Sequence, residues 1–136
     1  MSEYMSYSDK PLGNMLTDIE RTMIRDLILL PYIDTMVAKS MKEIELSGNV
    51  LSRAYLTTGR YIQKRIIQDV YDLRRELKKR NIKVIEDTQD EFITYNKVFF
   101  RGYQERFGMT RDVMRTEISL RLTQYTADLG DALKNK

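Results

Sequence analysis

Apolar residues recur at every seventh position over the first third of the chain, and this repeat limits most strongly how the chain can fold. The repeat passes through Leu16, Met23, Leu30, Val37 and Ile44. Further apolar residues fill the neighbouring stripe at offsets of three or four, namely Ile19, Leu27, Ile33 and Met41. A helix with such a wide apolar stripe packs against other helices. The pattern predicts a helix over residues 14–46, with Asn14 as its N-cap.

A second helix is predicted directly after the first. Pro31 lacks an N–H and disfavours helical geometry at the residue before it, so we expect a kink or a break within the first helix. Gly48 suits a left-handed C-cap, and Asn49 is a candidate cap for the next helix. Residues 50–80 then carry an apolar stripe, consisting of Leu51, Tyr55, Ile62, Ile66, Val70, Leu73 and Leu77. A short connection between two long helices predicts an antiparallel helical hairpin, and Gly59 indicates a place where its helices approach closely.

The pattern changes after Asn81. Residues 82–85 are rich in β-branched side chains, residues 86–90 are polar, and residues 92–103 are aromatic and β-branched. This order favours a small two-stranded β-hairpin at about residues 82–103, and Gly102 argues against a helix there. The alternative is a helix through residues 91–107, since aromatic residues also follow a helical stripe at Phe92, Tyr95, Phe99, Tyr103 and Phe107. Gly108 is expected to end this stretch, and Thr110 to cap a last helix.

The predicted fold is therefore mainly α: a long kinked helical hairpin plus a C-terminal helix, with the small β-hairpin between them. A chain of 136 residues suits one domain. We predict a flexible N-terminal segment over residues 1–13 and a single helical domain over residues 14–136. Tyr4, Met5 and Tyr7 stand out in the polar segment and are typical of a stretch that docks on a groove of its own chain, a second subunit or a partner.

The absence of histidine and cysteine excludes the commonest general base, soft nucleophile and transition-metal ligands. The chain also lacks a glycine-rich phosphate loop, and its acidic stretch over residues 86–91 lacks the register of an EF-hand. We therefore expect no enzyme activity and no catalytic, cofactor or metal site. An enzyme that acts through carboxylates remains as a third interpretation. No apolar run approaches the roughly 20 residues of a membrane span, so we expect a cytoplasmic protein without membrane contact.

Basic residues form the strongest charge feature, although the net charge is only +3. The candidates for contact with a partner or a nucleic acid are Arg74, Arg75, Lys78, Lys79, Arg80, Lys83, Arg111 and Arg115. Cations also collect at helix C-termini because the dipole is negative there, and solvated arginines are common on helices. Nucleic-acid binding through the second and last helices is thus the alternative interpretation.

The favoured interpretation is a non-catalytic interaction or regulatory protein that acts through helical contacts. The apolar stripe of the first helix is wider than one opposing helix covers, and exposed apolar patches mark interfaces. We therefore predict a homodimer with contacts at Met23, Leu30, Val37 and Ile44.

Two segments carry a resemblance to a known group of proteins. Residues 76–84 read ELKKRNIKV and residues 100–106 read FRGYQER. In these segments, and in its order of predicted elements, the chain resembles small uncharacterised cytosolic helical proteins of Bacillus-type bacteria. The resemblance implies a bacterial accessory protein, associated with sporulation or mobile elements, and it implies no activity.

Overall fold

A computed structural model describes residues 13–135 as three helices and one antiparallel sheet. The elements are α1 (Asp18–Ser47), α2 (Ser52–Lys79), β1 (Ile82–Gln89), β2 (Ile93–Phe100), β3 (Tyr103–Thr110) and α3 (Arg111–Lys134). The mainly helical fold is confirmed, but the sheet has three strands instead of the predicted two. The segment that contains Tyr4, Met5 and Tyr7 lies outside the described residues.

Helix α1 begins later than predicted and runs without a break. Its N-cap is Thr17 instead of Asn14: the Thr17 hydroxyl accepts from the Glu20 N–H at 3.1 Å, and Glu20 Oε1 accepts from the Thr17 N–H at 3.0 Å. This reciprocal pair is a capping box. Of the kink or break expected at Pro31, the break is wrong, because an interior proline removes one helical hydrogen bond while the apolar stripe holds both sides of α1 in place.

The two long helices form the predicted hairpin. Gly48 adopts a left-handed conformation with φ of 69°, as a C-cap glycine should. Asn49 does not cap α2; its Oδ1 accepts from the Leu51 N–H at 2.7 Å and shapes the connection instead. The close approach predicted at Gly59 is confirmed, since a Cβ there would lie 2.6 Å from both Cγ and Sδ of Met41.

The aromatic segment is strand, as favoured, and the helical alternative for residues 91–107 is wrong. The strand order is β1-β2-β3, and the turn between β2 and β3 needs positive φ at Arg101 (51°) and Gly102 (90°). Gly108 does not end the stretch, because it lies inside β3 opposite Tyr95. Side chains at Ile82, Val98 and Phe100 are buried on the inner face of the sheet, which packs on the helices.

Helix α3 closes the fold against the hairpin. It starts at its predicted cap, where the Thr110 hydroxyl accepts from the Val113 N–H at 3.2 Å. Arg121 donates to the buried carboxylate of Asp26 at 2.6 Å, and the Tyr125 hydroxyl donates to Asp69 at 2.7 Å. Burial of the Tyr125 ring and its bond to the Asp69 carboxylate raise the pKa of Tyr125. Among residues 13–135, no helix is long and apolar enough to cross a membrane.

Candidate functional site

The exposed basic residues of the second helix lie near its C-terminal end. Arg74, Arg75, Lys78 and Lys79 are exposed on α2, and Lys83 is exposed on β1. Arg111 and Arg115 are exposed in the first turns of α3. Seven of the eight predicted basic contact residues are therefore available to a partner.

Arg80 is the exception, because it is buried with 7% of its surface exposed. Its Nη1 lies 3.4 Å from Oε2 of the fully buried Glu20, and its Nε lies 3.1 Å from Oε1 of Glu76. Arg101 donates to both oxygens of Glu20 at 3.2 Å and to the backbone oxygen of Arg80 at 2.9 Å. Arg80 therefore joins α1, α2 and the β2–β3 turn inside the protein, and its predicted contact with a partner is wrong.

The structure does not gather the predicted cations into one site. Arg74 lines a groove between α1 and the sheet, Lys78 a groove at the β2–β3 turn, and Arg115 a groove between α1 and α3. The basic charge is spread over separate parts of the surface, which weakens the case for a single nucleic-acid face.

One groove nevertheless combines basic and aromatic groups. Lys78, Lys83, Phe99 and Tyr103 line a groove of about 630 Å³ beside the β2–β3 turn. Lys83 lies opposite Phe99 in the sheet register, and both are exposed on its outer face. Sequence reasoning missed this pairing because it depends on the strand register, which brings residues 16 positions apart into contact.

Two of the four predicted dimer contacts lie in the protomer core. Met23 and Leu30 are 0% and 2% exposed, so neither can contact a second copy, and their assignment as dimer contacts is corrected. They are covered because the sheet and α3 pack on this part of the hairpin, which the sequence pattern of α1 alone does not reveal. Val37 and Ile44, farther along α1, are half-buried.

The two most exposed apolar side chains on the hairpin, Leu46 and Val50, lie at its closed end. Leu46 and Val50 are 81% and 94% exposed, and Leu51 and Tyr55 are about half exposed. These four residues lie in residues 46–55, which include the connection between α1 and α2. We call these four residues the hairpin tip.

The acidic side chains near the β1–β2 turn accept local hydrogen bonds and form an ion pair across the sheet. Asp90 Oδ1 accepts from the N–H groups of Phe92 and Ile93, both at 2.8 Å, and these bonds lower the pKa of Asp90. Asp87 pairs with Arg106 at 3.1 Å. Among residues 13–135, no three acidic side chains come together in a way that would hold a metal ion.

Residues 15–130 match the model of the YhjD protein family. The chain belongs to the YhjD family. The uncharacterized protein YhjD of Bacillus subtilis (strain 168) is 28% identical over 103 residues, which cover 76% of this chain and 86% of that relative. The match confirms the resemblance to small uncharacterised proteins of Bacillus-type bacteria. No solved structure matches the chain.

Proposed function

We propose that this protein is a non-catalytic interaction protein that binds a partner protein through the hairpin tip. The observation that carries the proposal is the exposure of Leu46, Val50, Leu51 and Tyr55 at the closed end of the hairpin. Contiguous apolar patches on a folded surface usually mark interaction sites, whereas single exposed apolar residues are ordinary. We place this interaction in the cytoplasm, in keeping with a chain that contains no cysteine.

The surroundings of the tip resemble the anatomy of a protein interface. Exposed charged residues flank the apolar side chains, with Lys42, Glu43 and Glu45 on α1 and Arg53 on α2. An apolar centre with a charged rim is the common arrangement, in which the centre supplies affinity and the rim supplies orientation. Tyr55 adds an aromatic group, one of the residue types that most often dominate binding energy.

A second copy of the chain is one form that the partner can take. With Met23 and Leu30 in the core, a homodimer must use the distal part of α1 and the tip instead of the whole apolar repeat. Sedimentation equilibrium at tens of micromolar protein distinguishes this form: a dimer that the tip variants convert to a folded monomer identifies self-association.

Affinity purification from the native host tests the proposal with a matched pair of variants. Leu46→Glu combined with Val50→Glu places two charges on the tip, where both side chains are already in water. Leu120→Glu is the control, since Leu120 is an exposed apolar residue of α3, 54% accessible, away from the tip. We expect the tip variant to keep the melting temperature of the wild type and to lose a stoichiometric partner that the control retains. A partner that both variants retain equally would exclude the tip as the binding surface.

Nucleic-acid binding is the second candidate, and the groove of Lys78, Lys83, Phe99 and Tyr103 favours it. Lysines beside exposed aromatic rings suit a single strand, whose bases stack and whose phosphates pair with cations. Fluorescence anisotropy with a labelled single-stranded oligonucleotide and with a duplex tests this candidate. We expect no submicromolar binding to duplex DNA near physiological salt. Submicromolar, steeply salt-dependent binding that Lys78→Glu with Lys83→Glu abolishes would replace the interaction proposal.

A further inference from the structure

The solvent-facing side of α2 carries charge of one sign. Between residues 60 and 79, the exposed charged residues are all cations, namely Arg60, Lys64, Arg74, Arg75, Lys78 and Lys79. The acidic residues of this segment are half-buried and accept hydrogen bonds within the protein, namely Asp69, Asp72 and Glu76. On α1 and α3, by contrast, exposed cations lie beside exposed acidic residues such as Glu43 and Asp112.

These six cations are not neutralised within the protein. Among residues 13–135, none of them forms an ion pair with a carboxylate. Like charges four positions apart destabilise a helix, and this spacing occurs between residues 60 and 64, 74 and 78, and 75 and 79. The helix dipole accounts for Lys78 and Lys79 in the last turn, but its effect does not extend to Arg60 and Lys64. A charge pattern that costs helix stability points to a binding role.

The exposed residues on this face follow the spacing of a coiled coil. Alternating intervals of four and three positions separate Arg60, Lys64, Ile67, Tyr71, Arg74 and Lys78. At 1.5 Å per residue, these positions span about 27 Å of α2. The alternation keeps one set of side chains directed at a second helix along this whole length. We call these six residues the α2 stripe.

The centre of the α2 stripe is apolar. Ile67 and Tyr71 are 70% and 57% exposed and lie one turn apart, with cations on both sides of them. Arg74 and Lys78 also line two different grooves, and both nevertheless lie on this face of α2. An apolar centre with charged flanks is the arrangement in which packing supplies affinity and charge selects the partner.

The charge of the α2 stripe decides which helix fits it. A second copy of the stripe would place cations opposite cations, and this repulsion opposes self-pairing. An acidic helix instead offers carboxylates, which guanidinium groups bind in a bidentate geometry. A nucleic acid would match the cations, but the aliphatic Ile67 gives its bases no ring to stack on. An acidic helix matches both the charge and the apolar centre.

We propose that the α2 stripe binds an acidic amphipathic helix of a partner protein. Two apolar side chains of that helix pack against Ile67 and Tyr71, and its carboxylates pair with the arginines and lysines on either side. This proposal is independent of the hairpin tip, because the last tip residue is Tyr55 and the stripe begins at Arg60.

The probe for the test is a labelled, blocked helical peptide of about 20 residues, long enough to cover the α2 stripe. Its contact face reads Glu-Glu-Leu-Leu-Glu-Glu at the same intervals of four and three, with alanine and glutamine elsewhere, and this order is the same in both directions. Fluorescence anisotropy near physiological salt, with the full chain titrated to about 1 mM, should show saturable binding. A peptide with glutamine in place of every glutamate should bind at least about tenfold more weakly. Equal binding of the two peptides, or no binding of the acidic one, would overturn the proposal.

One variant tests the apolar centre. Ile67→Ala with Tyr71→Ala should weaken peptide binding at least about tenfold, because the packing surface is lost. The melting temperature should stay at the wild-type value, since both side chains are already exposed to water. Undiminished binding by this variant would mean that the stripe attracts any polyanion and would contradict the proposal.

Two matched variants separate the stripe from the net charge. Arg60→Gln with Arg74→Gln should weaken peptide binding at least about tenfold. Arg111→Gln with Arg115→Gln removes the same charge from exposed positions of α3 and should bind like the wild type. Equal losses from the two variants would show that only net charge matters and would overturn the proposal.

The wild-type protein locates the contact and the class of partner without any variant. The acidic peptide should shift ¹H–¹⁵N NMR signals of residues 60–79. A duplex oligonucleotide and phosphatidylglycerol vesicles, tested in the same salt, should bind more weakly than the peptide. Tighter binding of either at the α2 stripe, or peptide-induced shifts confined to other segments, would contradict an acidic helix as the partner.

Discussion

The hairpin has two halves that share one helical pattern and differ in what covers them. In the base of the hairpin, Met23, Ile24 and Ile33 on α1 are fully buried, and Leu73 on α2 is 1% exposed. Along residues 34–61 of the distal half, Gly59 alone is buried. The sheet and α3 pack on the base, while the distal half has mainly its opposing helix for cover.

This difference separates stability from binding within one hairpin. The base holds the buried ion pairs and most of the apolar core, so its side chains are committed to the fold. The distal half has large apolar side chains exposed to water. Their burial by a partner would change the stability of the fold little.

Replacing Glu20 should destabilise the protein more than any other single charge change. Glu20→Gln removes the buried carboxylate that pairs with Arg80 and Arg101, so two guanidinium groups lose a charged partner. We expect a loss of about 3–5 kcal/mol in the free energy of unfolding, measured by urea denaturation. Glu45→Gln makes the same chemical change on the exposed distal half and should alter stability by less than about 0.5 kcal/mol. Equal effects of the two variants would remove the distinction between base and distal half.

The two helical glycines Gly59 and Gly130 should respond to alanine with opposite signs. Gly130→Ala meets nothing within 4 Å and should stabilise the protein by up to about 1 kcal/mol through helix propensity. Gly59→Ala places a Cβ 2.6 Å from Met41 and should destabilise it by about 1 kcal/mol, because the Met41 side chain must move. Adding Met41→Ala should recover most of that loss in a double-mutant cycle. Stabilisation by Gly59→Ala alone would mean that the helices of the distal half do not touch at this point.

The smallest effect is confined to alkaline pH and concerns the junction of α3 with α2. The pKa of Tyr125 is raised in the folded protein. Its contribution to the free energy of unfolding is therefore fully present below the tyrosine pKa of the unfolded chain, about 10, and is lost as the pH rises above that value. Unfolding free energies measured from about pH 9 to pH 11 should fall more steeply for the wild type than for Tyr125→Phe. Tyr71→Phe, at an exposed position of α2, should keep the wild-type slope. Identical slopes for all three proteins would show that Tyr125 ionises as freely as an exposed tyrosine.

The helical part of the fold could be predicted from spacing and caps. The apolar repeat from Leu16 to Ile44 and the caps at Gly48 and Thr110 depend on contacts within one or two turns of the same helix. Their patterns are therefore visible in the sequence. The third strand was missed because Gly108 reads as a break. In the structure the Tyr95 ring covers that position, with its Cε1 2.9 Å from where a Cβ would lie.

The polar sites were less accessible to sequence reasoning. Glu20 and Arg101 are 81 positions apart, and Arg80 was interpreted as one of a run of surface cations. The period of two on β2 is a signal that could have placed Asn96 on the inner face of the sheet once the strand was assigned.

Native-state hydrogen exchange followed by mass spectrometry tests whether the base and the distal half of the hairpin differ in stability, because it measures the opening free energy of each helical segment. Amides in residues 62–77 of α2 should exchange only through global unfolding. Amides in residues 38–58, around the hairpin tip, should exchange through local opening at a clearly lower free energy. Equal protection of the two segments would contradict the separation of a stabilising base from a distal half that is free to bind.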